Sequence, residues 1–358
     1  MLAALVGGQV AAGLLLGGAL DLRTRSGLFI LLVVGVALWI CGGVLRGRVP
    51  LPTLRAFLWA ALLAGLSLIS AVHSPASAGA LPTWAAAAAG LWLFPAETLL
   101  SEEGRLRVEK LLHVAAWLMV LLAVRQRLDG EASPSSTLTN PAAFAGAILL
   151  LLPTAARRGD WALSIGLVVC LWWTRSVGAW LGLSIALLLH RRVVGPVAFW
   201  AGVAAGFAVM VAAYANLHSP GVLHLLECWG EAWRLAWDAP WLGRGALPAV
   251  AHQYFLETAV ERGWPYLFFW GAGLASLLGR STPALRFGPV ALIVYGLIDS
   301  PLNVPGVFWL FCFCAASAQP ESEDAAAVRA SRRLPLAAAV LVLAWLTAAW
   351  AHGWRSAS

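Results

Sequence analysis

The chain has 358 residues, a mean hydropathy of +0.80 and only 11% charged residues, whereas an ordinary soluble domain has about 25%. The formal net charge of +7 is scattered over short segments, which excludes a nucleic-acid patch and is typical of contact with anionic lipid. Repeated apolar runs of roughly 15 to 20 residues therefore predict an all-α polytopic membrane protein, with residues 1–358 as a single membrane domain.

The apolar runs divide into about 12 to 13 predicted transmembrane helices, several of them short. They cover residues 2–20, 28–45, 54–72, 83–100, 111–124, 141–156, 161–173, 177–189, 193–214, 264–278, 287–299, 306–318 and 334–350. The first run lacks a basic leader, so we interpret it as a span and not as a cleaved signal. The five cysteines are dispersed, and no disulfide framework or metal cluster is predicted.

Basic residues indicate the orientation of these spans. Most arginines fall on one side when the spans alternate, and the positive-inside rule makes that side cytoplasmic. Four arginines fall on the other side: Arg23, Arg25, Arg125 and Arg127. With this orientation three polar features face outside, namely Asn140, the turn at 174–178 and the long loop at 216–264.

Two short motifs precede the long loop. Residues 139–146 read TNPAAFAG, and residues 174–181 read TRSVGAWL. Arg175 lies at the outer end of two apolar runs. Its guanidinium is suited either to snorkelling to the interface or to holding a phosphate, and the sequence favours neither.

The long loop is rich in tryptophan and charge. Trp229, Trp233 and Trp237 recur every four residues, so on a helix they form one stripe. We favour an anchor in the headgroup layer, with a platform for sugar rings as the alternative. Arg244 lies in a Gly-Arg-Gly sequence that is either an anion-binding backbone nest or, more commonly, an ordinary glycine turn.

The end of the loop reads HQYFLETAVERGWPY over residues 252–266. The imidazole of His252 can accept a proton at neutral pH, which suits activation of a hydroxyl nucleophile. An interfacial histidine without a role is the alternative. If residues 253–262 are helical, Glu257 and Glu261 share a face one turn apart. We expect them to face solvent, although either could orient the imidazole.

These four segments, taken in order, resemble motifs of bacterial O-antigen ligases. TNPAAFAG resembles the family's Asn-Pro-Asn-x-Phe-Ala, TRSVGAWL resembles Thr-x-Ser-Arg-Gly-Ala-x-Leu, and WGEAWRLAWDAPWLGRG at 229–245 resembles the segment before the family histidine. His252-Gln253, with Gly263 and Tyr266, resembles the His-[Asn/Ser/Gln]…Gly-x-x-[Gly/Thr/Tyr] signature. Two family arginines fall on Val177 and Leu225 in this chain.

The resemblance implies a GT-C-like membrane glycosyltransferase with an extracytoplasmic active site in loop 216–264 of a multi-pass protein of the bacterial inner membrane. The donor would be a glycan on polyprenyl (undecaprenyl) pyrophosphate, and the acceptor would be a hydroxyl on a lipid- or protein-linked glycan, as in lipopolysaccharide biosynthesis. The catalytic residue is expected to be His252. The substrate-binding candidates are Arg175, Arg234, Arg244, Asn140, Gln253 and His224, the last being adjacent to Leu225.

Neither a cofactor nor a metal is expected, because the pyrophosphate is already a good leaving group and the loop lacks a carboxylate pair at ligand spacing. Three alternatives remain open. The chain could be a polysaccharide polymerase, a relative that binds lipid-linked glycan without turnover, or a transporter. A transporter would place ionisable residues midway through its spans and contain a repeat.

Overall fold

A computed structural model of the chain describes residues 1–45, 52, 54–74, 77–190, 220–245, 251–280 and 283–318, together with scattered positions between 195 and 211. The regular structure of these residues is entirely helical and contains no strand. The all-α part of the prediction is confirmed. The predicted spans 193–214 and 334–350 fall largely or wholly outside the described residues.

The described chain forms helices that match most of the predicted runs. In chain order they are α1 (Leu2–Leu15), α2 (Leu22–Leu45), α3 (Leu54–His73), α4 (Ser77–Leu91), α5 (Leu93–Glu97), α6 (Glu102–Leu128), α7 (Pro141–Arg157), α8 (Trp161–Trp173), α9 (Val177–Leu189), α10 (Pro220–Asp238), α11 (Tyr254–Arg280), α12 (Pro283–Gly296) and α13 (Pro305–Ser317). Short 3-10 turns occur at Gly17–Ala19, Ser136–Leu138 and Pro301–Asn303.

Helix α13 lies at the centre of the assembly. Its residues are apolar on every side and almost all are buried, as expected for a helix surrounded by protein. It packs against α1, α4, α5, α7 and α12. At its crossing with α1, Gly306 meets the backbone of Gly13, and a Cβ at Gly13 would clash with Trp309. Small residues at such a crossing let the two backbones approach closely.

Contacts at both ends of α9 and α12 show how these two helices run relative to each other. Helices α9 and α12 pack along each other; the Ser176 hydroxyl, before α9, contacts the Tyr295 hydroxyl near the end of α12 at 2.8 Å. At their other ends Arg286 Nε donates to His190 Nε2 at 3.1 Å. The two helices are therefore antiparallel, which agrees with the alternation assumed for the predicted spans.

One prediction about local structure needs correction. The run 83–100 is not one helix, since α4 ends at Leu91 and α5 begins at Leu93. The loop 216–264 contains α10 and the first turns of α11, so the tryptophans at 229–237 and the glutamates at 257 and 261 lie on helices, as their interpretation required. The pair of runs around Thr174 forms two helices, α8 and α9, joined by a short turn.

In the part of the chain that the structure describes, two helices have the length and composition to cross a membrane: Arg23–Leu45, of which a small share is buried, and Ala56–His73. Five more apolar helices of 10–17 residues are too short to meet the same criterion: Leu2–Leu15, Pro141–Arg157, Trp161–Trp173, Val177–Leu189 and Pro305–Ser317. The number of spans remains a prediction.

Candidate functional site

A break at Gly263 divides α11 into a polar segment and an apolar one. Gly263 has φ 82° and ψ 166°, a backbone conformation that is essentially restricted to glycine. A Cβ there would clash with the carbonyl oxygens of Trp241 and Pro240, and the N–H of Trp264 donates to Pro240 O at 2.9 Å. The segment Tyr254–Arg262 is thereby set apart from the apolar remainder of the helix.

The Gly-Arg-Gly turn satisfies carbonyl groups that the break leaves without helical partners. The N–H groups of Arg244 and Gly245 donate to Val260 O at 2.7 Å and to Glu261 O at 2.9 Å. The hydroxyl of Ser70 also donates to Glu261 O, at 2.6 Å. These two N–H groups are therefore occupied, and the anion-nest interpretation of this turn is wrong. The guanidinium of Arg244 pairs with Asp238 at 2.8 Å.

Beside this segment lies a polar cavity of about 230 Å³. It forms where the starts of α2, α11 and α13 meet the middle of α4. Its polar lining consists of Arg25, Thr83, Tyr254, Glu257, Glu261, Arg262 and Asn303. Its volume is below the roughly 300–1,000 Å³ of sites for drug-sized ligands, so it fits a head group and not a large glycan.

Two guanidinium groups line different walls of the cavity. Arg25 donates to Ala19 O at 3.2 Å, to Leu20 O at 3.1 Å and to the Thr83 hydroxyl at 3.4 Å. Arg262 lies over the ring of Tyr266, 4.9 Å from its centroid, and donates to the Tyr266 hydroxyl at 3.1 Å. Both guanidiniums are thus held in fixed orientations.

Two carboxyl groups lie one helical turn apart in the same cavity. Glu257 is 5% exposed; one oxygen accepts the backbone N–H of His252 at 3.0 Å, and the other accepts the side-chain amide of Asn303. Glu261 lies 4.0 Å from Arg262. The prediction that the two glutamates share a face is confirmed, but the expectation that they face solvent is wrong.

Burial changes the acidity of both carboxyl groups. Desolvation raises the pKa of Glu257, while the hydrogen bonds from His252 and Asn303 act in the opposite direction. Desolvation also raises the pKa of Glu261 to about 7; nearby Arg262 lowers it, and Glu257 raises it further. Glu261 therefore changes charge near neutral pH.

Neither His252 nor Gln253 lines the cavity, but the backbone N–H of His252 donates to the cavity residue Glu257. His252 is exposed and has a positive φ of 50°, so its backbone is held in a conformation that non-glycine residues seldom adopt. Gln253 caps α11, because its side-chain oxygen accepts the N–H of Leu256 at 2.5 Å. Its amide donates to Leu297 O at 3.2 Å, which ties the start of α11 to α12.

The Tyr295 hydroxyl joins the motif segments that precede the loop. It accepts the Ser176 hydroxyl at 2.8 Å and lies 3.2 Å from both Ala142 O and Asp299 Oδ2. The N–H of Tyr254 in turn donates to Asp299 O at 3.2 Å. The segments around Asn140, around Ser176 and after His252 therefore meet at one end of the helices.

The remaining candidates lie outside the cavity. Asn140 is exposed and caps α7, accepting the N–H of Ala142 at 2.8 Å. Arg175 is exposed in the turn between α8 and α9, with φ 54°. Arg234 and His224 are exposed on α10, where His224 lies 3.7 Å from the sulfur of Cys228.

Helix α10 lies across the polar segment of α11. Its buried face, with Ala232 and Ala236, packs on Ala259 and Val260. Its other face exposes Trp233 and Trp237, whose rings each lie 5.4 Å from that of Trp264, and Trp241 follows in the turn after it. Two members of the predicted tryptophan stripe, Trp233 and Trp237, therefore lie on the exposed face, whereas Trp229 is partly buried and packs against the alanine cluster.

The sequence interpretation missed the cavity itself. In the sequence, Arg25 stood out only as one of the four arginines that fall on the outer side of the predicted topology. In the structure it lines the same cavity as Arg262. The predicted topology assigns Arg262 to the outer side as well. No family model matches this chain, and no curated protein sequence matches it. The resemblance to O-antigen ligases consequently stands on the four motifs.

Proposed function

We propose that this protein is a polytopic glycosyltransferase of the bacterial inner membrane, GT-C-like in architecture, that moves a glycan from polyprenyl pyrophosphate to an acceptor hydroxyl in the manner of an O-antigen ligase. The observation that carries the proposal is the meeting of the four motif segments at one end of the helices, beside a polar cavity. Tyr295, Asp299 and Glu257 make the contacts that join the segments around Asn140, Ser176 and His252. The backbone N–H groups of Arg244 and Gly245 join the end of segment 229–245 to the helix that follows His252.

The membrane part of the proposal is supported by the apolar character of the helices. Two of them have the length and composition of membrane spans, and α2 presents large apolar side chains, among them Leu31 and Leu38, on the surface. Monomeric soluble proteins rarely expose such contiguous apolar surface, whereas lipid stabilises it. All of the polar cavity residues fall on the extracytoplasmic side of the predicted topology.

In the proposed reaction His252 accepts the proton of the acceptor hydroxyl. The hydroxyl oxygen forms a bond to the anomeric carbon of the glycan, and the bond from that carbon to the pyrophosphate oxygen breaks. Polyprenyl pyrophosphate leaves with the electron pair. The contact between the backbone N–H of His252 and Glu257 fixes the backbone from which the imidazole extends, and a general base in place contributes about 10²–10⁴-fold to the rate.

The test is a transfer assay with purified protein in lipid nanodiscs. We expect His252→Ala to lower glycan transfer by about 100-fold or more while donor binding is retained. His73→Ala is the matched control, because His73 is also an exposed histidine at a helix end on the same predicted side. Unchanged transfer by His252→Ala would remove the general-base role.

The products distinguish the neighbouring functions. Glycan attached to a lipid-linked core indicates a ligase, and chains lengthened on the polyprenyl carrier indicate a polymerase. Donor binding without turnover by the wild type indicates a relative that only binds the lipid-linked glycan. Movement of intact donor between leaflets, with no new glycosidic bond, indicates a transporter.

A further inference from the structure

We propose that Arg25 and Arg262, from different walls of the 230 Å³ cavity, together hold the diphosphate of the polyprenyl-linked donor. The inference rests on the proposed function and assigns its anion site to residues other than Arg175, Arg234 and Arg244. The first reason is placement: the three expected arginines do not line the cavity, whereas Arg25 and Arg262 do.

The second reason is the way in which Arg25 is bonded. Within the described part of the chain, its three hydrogen bonds go to neutral oxygens, two carbonyls and the Thr83 hydroxyl. The carboxylate of Asp21 also acts on Arg25 electrostatically, but among the described residues the two groups make no ion pair, so the hydrogen bonds hold the guanidinium without a bound counter-ion. A cation fixed in this way at a cavity wall is preorganised for an anion, since no ion pair has to be broken when the anion binds.

The third reason is the state of Arg262. Its guanidinium is supported from one side by the ring and hydroxyl of Tyr266. Its nearest carboxylate contact, with Glu261, is 4.0 Å long, beyond the distance of a charge-assisted hydrogen bond. The planar guanidinium therefore keeps donors with which to bind phosphate oxygens.

The two carboxyl groups of the cavity act differently on this site. Glu257 is held by the N–H of His252 and the amide of Asn303, so its oxygens are directed at neutral donors. Glu261 lies 4.0 Å from Arg262, so it competes with the diphosphate when it is ionised and leaves Arg262 to the diphosphate when it is neutral. A diphosphate esterified at both ends carries two negative charges, one for each guanidinium group when Glu261 is neutral.

The size of the cavity agrees with a head group alone. A space of about 230 Å³ accommodates a diphosphate, while the prenyl chain and the glycan extend beyond it. The exposed tryptophans of α10 lie outside the cavity. The site is therefore specific for the part of the donor that all polyprenyl diphosphate glycans share.

The experiment measures binding and not transfer. Full-length protein in nanodiscs is titrated with radiolabelled polyprenyl diphosphate carrying one N-acetylhexosamine, with no acceptor present. We expect Arg25→Gln and Arg262→Gln each to raise Kd by about tenfold or more, because each removes charge-assisted hydrogen bonds to the diphosphate. Arg262→Lys is expected to lie between the wild type and Arg262→Gln.

Arg23→Gln is the matched control, because Arg23 is exposed two residues before Arg25 on α2 and does not line the cavity. It should leave Kd unchanged. Arg25 also bonds carbonyl groups after α1, so thermal unfolding is recorded for each variant. If Arg25→Gln does not fold, Arg262→Gln and Arg262→Lys decide the question.

Two outcomes overturn the inference: a wild-type protein that does not bind the probe, or an Arg262→Gln variant that binds it as tightly as the wild type does. A wild type that binds through both arginines but transfers no glycan contradicts the proposed function and leaves the diphosphate site standing. A wild type that transfers glycan, with donor binding unaffected in both variants, contradicts the diphosphate site alone.

Discussion

The two ends of the helical assembly both carry charge, but they satisfy it differently. At the end away from the cavity, Glu109 lies 3.4 Å from Arg157 and 3.7 Å from Arg158, and His113 lies 2.9 Å from Asp160. Each of these groups has a partner that can carry the opposite charge. Such pairs fix the ends of α6, α7 and α8 relative to one another.

At the cavity end, the cations are held mainly by neutral groups. Arg25 bonds carbonyl and hydroxyl oxygens, and Arg262 rests on Tyr266 with Glu261 at 4.0 Å. Glu257 and Glu261 also line this space, but the contact of Glu261 with Arg262, at 4.0 Å, is longer than the ion pairs of the other end. One end therefore has the contacts of a structural junction, and the other has the open site at which we propose that an anionic ligand binds.

The largest expected effect concerns the backbone break that creates the cavity end. Gly263→Ala places a Cβ against Trp241 and Pro240 at a φ of 82°. We expect it to lower the free energy of unfolding by about 3 kcal/mol or more, as measured by thermal or denaturant unfolding in detergent.

The matched control lies on the same helix. A Cβ at Gly271 meets nothing within 4 Å, so Gly271→Ala should stabilise the protein by about 0.5–1 kcal/mol. Equal effects of the two substitutions would show that the break at Gly263 has no special requirement for glycine.

The next prediction tests whether the opposite end is purely structural. Asp160 caps α8 through the N–H of Leu163 at 2.9 Å and contacts His113 and Trp117. Asp160→Ala should lower the melting temperature by several degrees, because it removes a cap and an ion pair together. Its Kd for the diphosphate probe should equal that of the wild type. A folded variant with impaired binding would contradict the division between the two ends.

The smallest expected effect is a pH dependence at the cavity end. The pKa of Glu261 is raised to about 7. Below that pH the carboxyl group is neutral and Arg262 is available to the diphosphate; above it the carboxylate competes for Arg262. Binding of the esterified diphosphate probe, which has no titrating phosphate near neutral pH, should therefore weaken by about threefold to tenfold as the pH rises from 6 to 8.

The variant Glu261→Gln tests whether Glu261 causes this pH dependence of binding. The charged and titratable groups around it are Arg262 beside it, Glu257 one turn away, Arg25 across the cavity and Tyr254 on the same segment. The amide variant should bind the probe equally well at pH 6 and pH 8. Glu231→Gln, at an exposed position of α10, should keep the wild-type profile. A flat wild-type profile would show that Glu261 does not compete for Arg262.

The sequence predicts those parts of the fold whose signals are local. Helices α8 and α9 begin and end where the apolar runs do, because Asp160 and Ser176 supply side-chain caps at their starts. The tryptophan stripe and the shared face of Glu257 and Glu261 follow from helical periodicity. Periodicity identifies a face of a helix but not what that face meets, which explains why the two glutamates were expected in solvent.

The cavity depends on contacts between segments that are far apart in the chain. Arg25 and Arg262 line one cavity because the starts of α2, α11 and α13 converge on α4, and no local pattern encodes that convergence. The turn at Arg244 shows the same limit. Its glycines were apparent in the sequence, but the partners of its N–H groups, Val260 and Glu261, were not.

The order in which the chain is synthesised determines when the helix break at Gly263 can form. The groups that satisfy its free carbonyls, at Ser70 and at the turn 244–245, leave the ribosome before α11 does. The partners of the interrupted helix are therefore present as soon as that helix has been synthesised. Asn303, which supplies another wall of the cavity, is synthesised later, so the break at Gly263 can form before the cavity is complete.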